Sequence, residues 1–209
     1  MKDFNNNVTI AGEVVSDFKF NHQVYSEKFY EFNVSVPRTS GTVDTIPVVV
    51  SERLIDVSQS LIGKQIHVVG NFRSYNKHQE NRTKLILNVF ARECEVTDAV
   101  SDCNCIEMEG CICKEVRYRK TPLGRKISDL LLAVNRPYGK SDYIPCVVWG
   151  RNASYISNFA VGTKIKVVGR IQSREYVKQL KNGDSETRVA YEVSVSEVKV
   201  MEEEKENGN

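Results

Sequence analysis

The chain has 209 residues, 41% hydrophobic and 27% charged, an ordinary composition for one large or two small globular domains. No apolar run approaches the roughly 20 residues that a membrane-spanning helix needs, and the opening "MKDFNNNVTIAGE" lacks the apolar core of a secretory signal. The net charge of +2, from 29 Lys and Arg against 27 Asp and Glu, says little as a total because it hides an asymmetry along the chain. The expectation is a cytoplasmic protein that does not enter membranes. Its six Cys then read as reduced thiols without a disulfide framework.

In chain order, "VTIAGEVV", "YEFNVSV", "TIPVVV", "KQIHVVGNF" and "KLILNVFARECEV" are rich in Val, Ile and Phe, often alternating with polar residues. Apolar residues at every second position put one face of a strand toward a core. Between the third and fourth runs, "SERLIDVSQSLIGK" is less β-prone and reads as a short helix stopped by Gly63. Pro47 stands inside the third strand, where its missing N–H calls for an edge or a bulge.

The same order then returns. "IEMEGCIC" from Ile106 repeats "VTIAGEVV" from Val8, with Gly110 over Gly12. "ISDLLLAVNR" repeats "FYEFNVSVPR", and "SDYIPCVVWG" repeats "VDTIPVVVSE", with Pro145 over Pro47. "GRNASYISNFAVGT", stopped by Gly162, is the second helical stretch. "VGTKIKVVGRI" repeats "IGKQIHVVGNF", and after an insertion in the turn-like "VKQLKNGDSE", "TRVAYEVSVSEVKV" repeats "TKLILNVFARECEV". A period near 100 residues suits a small domain, not a solenoid unit. Three strands, a helix and two strands is the order of a five-stranded oligonucleotide/oligosaccharide-binding (OB) barrel. The reading is all-β: two tandem five-stranded OB-fold barrels, each with one short helix between strands 3 and 4. Residues 1–97 form a degenerate copy, 98–104 a polar linker and 105–200 the second copy; the charged tail 201–209 is expected to be disordered.

The two copies differ in chemistry. Residues 105–200 carry 17 Lys and Arg against 10 Asp and Glu, a net +7, whereas residues 1–96 carry 11 of each. Basic excess in one domain is the electrostatic footprint of phosphate binding. The contributors are Arg117, Arg119, Lys120, Arg125, Lys126, Arg136, Arg170, Arg174, Lys178 and Lys181. Tyr143 and Trp149 lie six residues apart, so they share one face of their strand while Ile144, Cys146 and Val148 face the core. An exposed ring can stack on any base. Tyr155, Phe159 and Tyr191 read as core packing. In the first copy Thr45 and Ser51 stand where Tyr143 and Trp149 stand in the second, and Tyr75 partly matches Tyr176. Its own aromatics, Phe18, Phe20, Tyr25, Phe29 and Tyr30, read first as core or subunit contact and then as a relocated strand-binding surface.

The runs "VRYRKTPLGRKISDLLLAVNRPY", "DYIPCVVWGRNASYISNFAVGTKIKVVGRIQSREY" and "RVAYEVSVSEV" resemble the DNA-binding domain of bacterial single-stranded DNA-binding proteins. The resemblance covers nearly all of 106–200 and reaches the first copy only through the repeat. It implies a barrel that binds single strands on aromatics along a basic surface, with Tyr138, Tyr143, Trp149 and Tyr176 at the family's aromatic positions. It also implies protection of exposed strands in replication, recombination or repair, and four barrels per particle, hence a homodimer of this two-barrel chain. Members often end in an acidic tip that recruits other proteins. "MEEEKENGN" is acidic but ends without an apolar residue, so such recruitment is not expected. The alternative is a protein-interaction module on the same fold, of primosomal-adaptor type, with secondary nucleic-acid binding.

Catalytic signals are lacking. There is no phosphate-cradling lysine loop and no nucleophile elbow, and His22, His67 and His78 fit no triad or metal pattern. Cys103, Cys105, Cys111 and Cys113 form two C-x-C pairs, short of the C-x₂₋₄-C spacing of structural zinc sites, and read as free thiols. Neither an enzyme nor a cofactor is expected.

Overall fold

Alternating apolar residues become an inward face in both copies. The computed structural model describes residues 5–79, 82–98, 102–179 and 183–201. Part of the expected linker and nearly all of the expected tail, 202–209, lie outside the described residues. The first copy contains β1 (Asn6–Val14), β2 (Lys19–Val24), β3 (Glu27–Pro37), β4 (Val43–Ser51), β5 (Gln65–Gln79) and β6 (Arg82–Val96). The second contains β7 (Cys103–Ile112), β8 (Arg117–Lys120), β9 (Lys126–Asn135), a 3₁₀ turn at Pro137–Gly139, β10 (Ser141–Trp149), α1 (Gly150–Ile156), β11 (Lys164–Gln179) and β12 (Ser185–Val200).

Each copy closes as a five-stranded barrel. In the first, the order β3-β4-β6-β5-β1 returns to β3 through Glu13↔Ser35 and Val14↔Val34, and β4 runs parallel to β6 at Val48↔Val89. In the second, the order β9-β10-β12-β11-β7 returns to β9 through Cys111↔Ala133 and Ile112↔Leu132, with β10 parallel to β12 from Cys146↔Val193. Closure removes the open edges that a five-stranded sheet would present. Pro47 and Pro145 sit immediately before their strands enter the parallel ladder. An absent N–H is tolerated there.

The cores follow the alternation. Val8, Ile10, Phe32, Ile46, Val48, Ile66 and Phe72 fill the first barrel, and Ile106, Met108, Leu132, Ile144, Val148, Ile165 and Val193 the second. Burying each such side chain fully is worth about 1.5–3 kcal/mol. The backbone divides into two compact units: Asn7–Ile106 together with Ile171–Glu192, and Glu107–Arg170 together with the start of the chain and the strand residues from Val193 on. The far half of the β11–β12 hairpin is thus grouped with the first copy.

Two features differ from the sequence expectation. Each copy has an additional short strand, β2 or β8, which extends the second barrel strand into a hairpin. The helix expected in the first copy does not form: after Ser51 the described chain passes through turns to Lys64. The Asp56 carboxylate accepts from the Ser58 N–H at 3.0 Å and the Ser51 hydroxyl accepts from the Arg53 N–H at 3.2 Å. Such local bonds offer the backbone an alternative to helix, and Ile55 and Val57 are β-branched. In the second copy α1 does form, ending at Ile156, short of Gly162. Buried Ala153 and Ile156 cap the barrel, and the Ser128 hydroxyl donates to the Ala153 carbonyl at 2.8 Å.

Closure demands glycine at two equivalent points. A Cβ on Gly12 would lie 2.2 Å from the Ser35 carbonyl oxygen, and one on Gly110 would lie 2.4 Å from that of Ala133. Backbone cannot yield as a flexible side-chain tip can. Gly12→Ala and Gly110→Ala are each expected to cost about 1–3 kcal/mol in urea unfolding, the range for overpacking.

Candidate nucleic-acid interface

Strand register assembles one outer face on β8, β9 and β10, on which Ile127 and Val147 are themselves buried while the rings and cations beside them are exposed. Trp149 stands opposite Ile127, which stands opposite Arg119; Val147, Asp129 and Arg117 form the next such row, and Tyr143 stands opposite Ala133. Tyr143 is 46% and Trp149 39% exposed, while Ile144 and Val148 on the other face are fully buried. Six residues of strand separate the two rings by about 20 Å, room for more than one stacked base. Trp149 ends β10 with extended backbone, and α1 begins at the next residue.

The β8–β9 hairpin supplies the charge. Its segment "RYRKTPLGRK", 117–126, holds Arg117, Arg119, Lys120, Arg125 and Lys126 and no acid. The matching first-copy segment, "KFNHQVYSEK", holds two Lys and one Glu. The second-copy turn is closed by the Thr121 N–H donating to the Arg125 carbonyl and the Gly124 N–H to the Thr121 carbonyl, both at 2.8 Å. Arg117, Lys120, Arg125 and Lys126 are exposed. Arg119 donates to the Asp129 carboxylate at 2.7 and 3.2 Å. Both partners are well exposed, so the pair is weak and open to exchange for a phosphate.

Arg136 has a second role that the sequence reading did not assign. Its guanidinium grips the carboxylate of Asp142 through two N–H donors, with Nε to Oδ2 at 2.6 Å. The Asp142 side chain is 2% exposed and that of Arg136 27%. The first copy repeats the device: Arg38 donates to Asp44 at 2.7 and 2.5 Å, and the Asp44 side chain is fully buried. Hydrogen bonding to Asp44 pushes the Arg38 guanidinium further up from its ordinary value.

The other predicted residues fall elsewhere. Arg170 is half-buried on β11. Arg174, Tyr176 and Lys178 alternate onto one face of the far half of β11, within the unit that holds the first copy. Tyr176 is 37% exposed, and the Arg174 guanidinium stands 5.9 Å from its ring centroid and 4.0 Å from the Glu192 carboxylate. Tyr138 belongs to the 3₁₀ turn, but its side chain lies outside the described residues, as does Lys181.

In the first copy the equivalent surface is put to other use. The Ser173 N–H donates to buried Asp44 at 2.7 Å, and the Thr45 N–H donates to the Ser173 hydroxyl at 3.1 Å. The strand end that presents Tyr143 in the second copy is therefore packing surface in the first. Ser51, in the place of Trp149, is buried and donates its hydroxyl to Glu27.

Sequence reading missed Tyr118, 39% exposed between Arg117 and Arg119; an aromatic inside a basic run was the available signal. It also misplaced Tyr155, which is 51% exposed and only edges against Phe159 at 4.8 Å. Tyr191 is half-buried, and desolvation pushes its hydroxyl pKa up. Among the thiols, burial pushes Cys94 up to about 12 and raises Cys103 and Cys113. Among the described residues no three His, Cys, Asp or Glu are placed to hold a metal ion.

A family model, the single-strand binding protein family, matches residues 103–201. Single-stranded DNA-binding protein 3 of Listeria innocua is 34% identical over 112 residues, which span 50% of this chain and 67% of the relative. The single-stranded DNA-binding protein of Clostridium tetani is 34% identical over 106 residues, 47% of this chain and 70% of the relative. Among solved structures, the wild-type single-stranded DNA binding protein from Thermus aquaticus superposes with a TM-score of 0.77 at 17% identity, over 94% of this chain and 93% of that one. A deletion mutant of the same protein gives 0.73 at 18%, over 95% of each chain. At such identities the likeness is one of fold, and it spans both copies.

The buried ion pair yields a test. Asp142→Ala leaves the half-buried Arg136 without its carboxylate and is expected to cost about 3 kcal/mol, the lower end for breaking a buried pair. Thermal unfolding measures it, with the exposed Asp129→Ala as a control expected to cost under about 1 kcal/mol.

Proposed function

Because the chain belongs to the single-strand binding protein family, we propose that it binds single-stranded DNA with little sequence preference, as a binding protein and not an enzyme. The observation that carries this reading is the pair Tyr143 and Trp149, exposed on one face of β10 beside the hairpin segment 117–126, which holds five cations and no acid. Each exposed ring offers a flat apolar surface to a base of any identity, worth about 1–3 kcal/mol per stacked base. Arg117, Lys120, Arg125 and Lys126 neutralise phosphates and release their counterions. Arg119 joins them by exchanging Asp129 for phosphate, whereas Arg136 chiefly holds the hairpin end. Arg174, Tyr176 and Lys178 continue the path along β11, and Arg170, Tyr138 and Lys181 belong to the same proposed set. Residues 105–200 are thus the main binding domain and 1–97 the supporting one, acting in the cytoplasm on strands exposed in replication, recombination or repair. The adaptor alternative is not favoured, since the matching relatives are single-stranded DNA-binding proteins by name.

The chain's single Trp makes the test direct. Titration with oligo(dT) is expected to quench Trp149 fluorescence, and duplex DNA to act far more weakly. Log affinity should fall against log salt by about 0.7 per phosphate contacted. Tyr143→Ala and Trp149→Ala, the latter followed by anisotropy of labelled oligo(dT), should each weaken binding by about 1–3 kcal/mol, and Thr45→Ala should change little. Salt-independent binding, preference for duplex, or equal losses at Thr45 and Tyr143 would refute the reading.

The same reading takes the working particle as a homodimer. Two barrels per chain then give four, with the net-neutral, aromatic-bearing first copy as the candidate subunit contact because interface cores favour apolar and aromatic surface over charge. Two basic domains in one particle raise avidity through effective concentration. Light scattering at micromolar concentration should return twice the single-chain mass, with or without oligo(dT); the single-chain mass in both conditions rejects the dimer.

A further inference from the structure

The first copy holds a cavity of about 300 Å³ lined by His22, Tyr25, Phe29, Arg53, Arg73 and Phe90. That volume is at the lower end for small-molecule sites. We propose that it is a second base-binding pocket, taking one nucleobase of a single strand together with its phosphate. The inference rests on the single-strand reading above but builds the contact from residues that neither the repeat nor the family's aromatic positions supply.

Flat π surfaces build the floor. The His22 ring stacks on Phe29 with centroids 4.7 Å apart and planes 4° from parallel, and Phe29 meets Phe90 at 5.5 Å. The Arg73 guanidinium lies 3.8 Å from the Phe90 ring centroid. A bulge between Phe20 and His22 shifts the β2–β3 register and brings His22 opposite Phe29; bulges commonly re-aim a side chain. The His22 ring is further held by Nδ1 at 2.7 Å from the Asn21 side-chain oxygen.

Charge at the mouth suits an anion beside a ring. Glu27 is the one acid in the lining, and it is engaged by Ser51 and by Arg53 at 3.4 Å. Arg53 and Arg73 leave the cavity a net cation. A planar aromatic with an anionic tether satisfies both floor and rim by stacking and cation–π contact.

Tyr25 supplies a cover. It is 97% exposed and sits at φ +53° in the β2–β3 turn. Residues other than Gly and Asn seldom occupy that region, and here the ring is left almost wholly in solvent. A strained, exposed aromatic at the rim of an aromatic cavity is accounted for by a ligand that it closes over.

Position favours a nucleic-acid strand over an acidic, aromatic peptide, which would meet the same groups. Phe29 stands opposite Ser51 in the first copy as Ile127 stands opposite Trp149 in the second. The cavity therefore occupies the barrel end at which the second copy places its Trp. With Ser51 there, the rings come from β2, β3 and β6. At the repeat positions of His22, Tyr25, Phe29, Arg73 and Phe90 the second copy has Lys120, Leu123, Ile127, Gln172 and Ser194.

The test uses the full chain with Trp149→Phe and Tyr25→Trp, which leaves one Trp at the pocket mouth; an exposed turn residue is replaced, and circular dichroism verifies the fold. Binding of labelled oligo(dT) is followed by anisotropy and pocket occupancy by Trp quench. The proposal expects quench that saturates together with anisotropy, and a several-fold weaker quench midpoint on adding Arg53→Gln. Anisotropy without quench overturns the pocket and leaves single-strand binding intact. Quench by an acidic Phe-containing peptide but not by oligo(dT) also overturns it, in favour of a protein partner. If this variant binds no strand, thymidine 5′-monophosphate judges the pocket alone, quench sustaining it as a nucleotide site and no quench ending it, and the single-strand reading fails only if the unsubstituted chain binds none either.

Discussion

A buried carboxylate gripped by one arginine sets the register on which the proposed interface depends. Asp142 and Asp44 occupy the same place in the two copies, each buried and each held by two N–H donors of the arginine six residues earlier. A carboxylate is costly to bury without such partners. A one-residue slip of β10 would carry Asp142 away from Arg136 and turn Tyr143 and Trp149 into the core. The ion pair thus fixes, at one end of a hairpin, which side chains of the whole strand meet solvent. It stands in both copies although only one has the aromatics on this strand, which marks it as part of the barrel's framework.

From a shared scaffold the copies diverge by surface chemistry. In the second, outward positions of β10 carry rings, and β8–β9 carries cations. In the first, the corresponding strand end receives Ser173 through Asp44 and Thr45, so a ring at Thr45 would compete with packing. In the first copy His22, Phe29 and Phe90 lie on β2, β3 and β6, where a bulge and a strained turn gather them with Tyr25 around a cavity. Rings at either set of positions suit the same backbone, because outward positions of a barrel are constrained by solvent and ligand and hardly by the core.

Backbone contacts limit that freedom at few points. Gly12 and Gly110 lie where the first barrel strand passes from one neighbour to another, too close to a carbonyl for any Cβ. Between these points the barrel accepts turns in the first copy where the second has α1, since the cap of the barrel needs apolar cover and not a particular helix.

How much of this was legible in the sequence depended on the range of the interaction. The duplication, the strand order, the all-β class and the outward direction of Tyr143 and Trp149 follow from local period and repeat alignment, because strand alternation is a property of the backbone itself. The charge asymmetry was equally plain, being a sum over residues. The missing first-copy helix was decided by bonds of Asp56 and Ser51 to nearby N–H groups, which outweighed a weak helical pattern. The double use of Arg136, the packing of Ser173 on Asp44, and the meeting of His22, Phe29, Arg73 and Phe90 required the tertiary structure. These residues stand far apart in the chain or off its period, and only closure of the barrel, with a one-residue bulge in β2, brings them to one place.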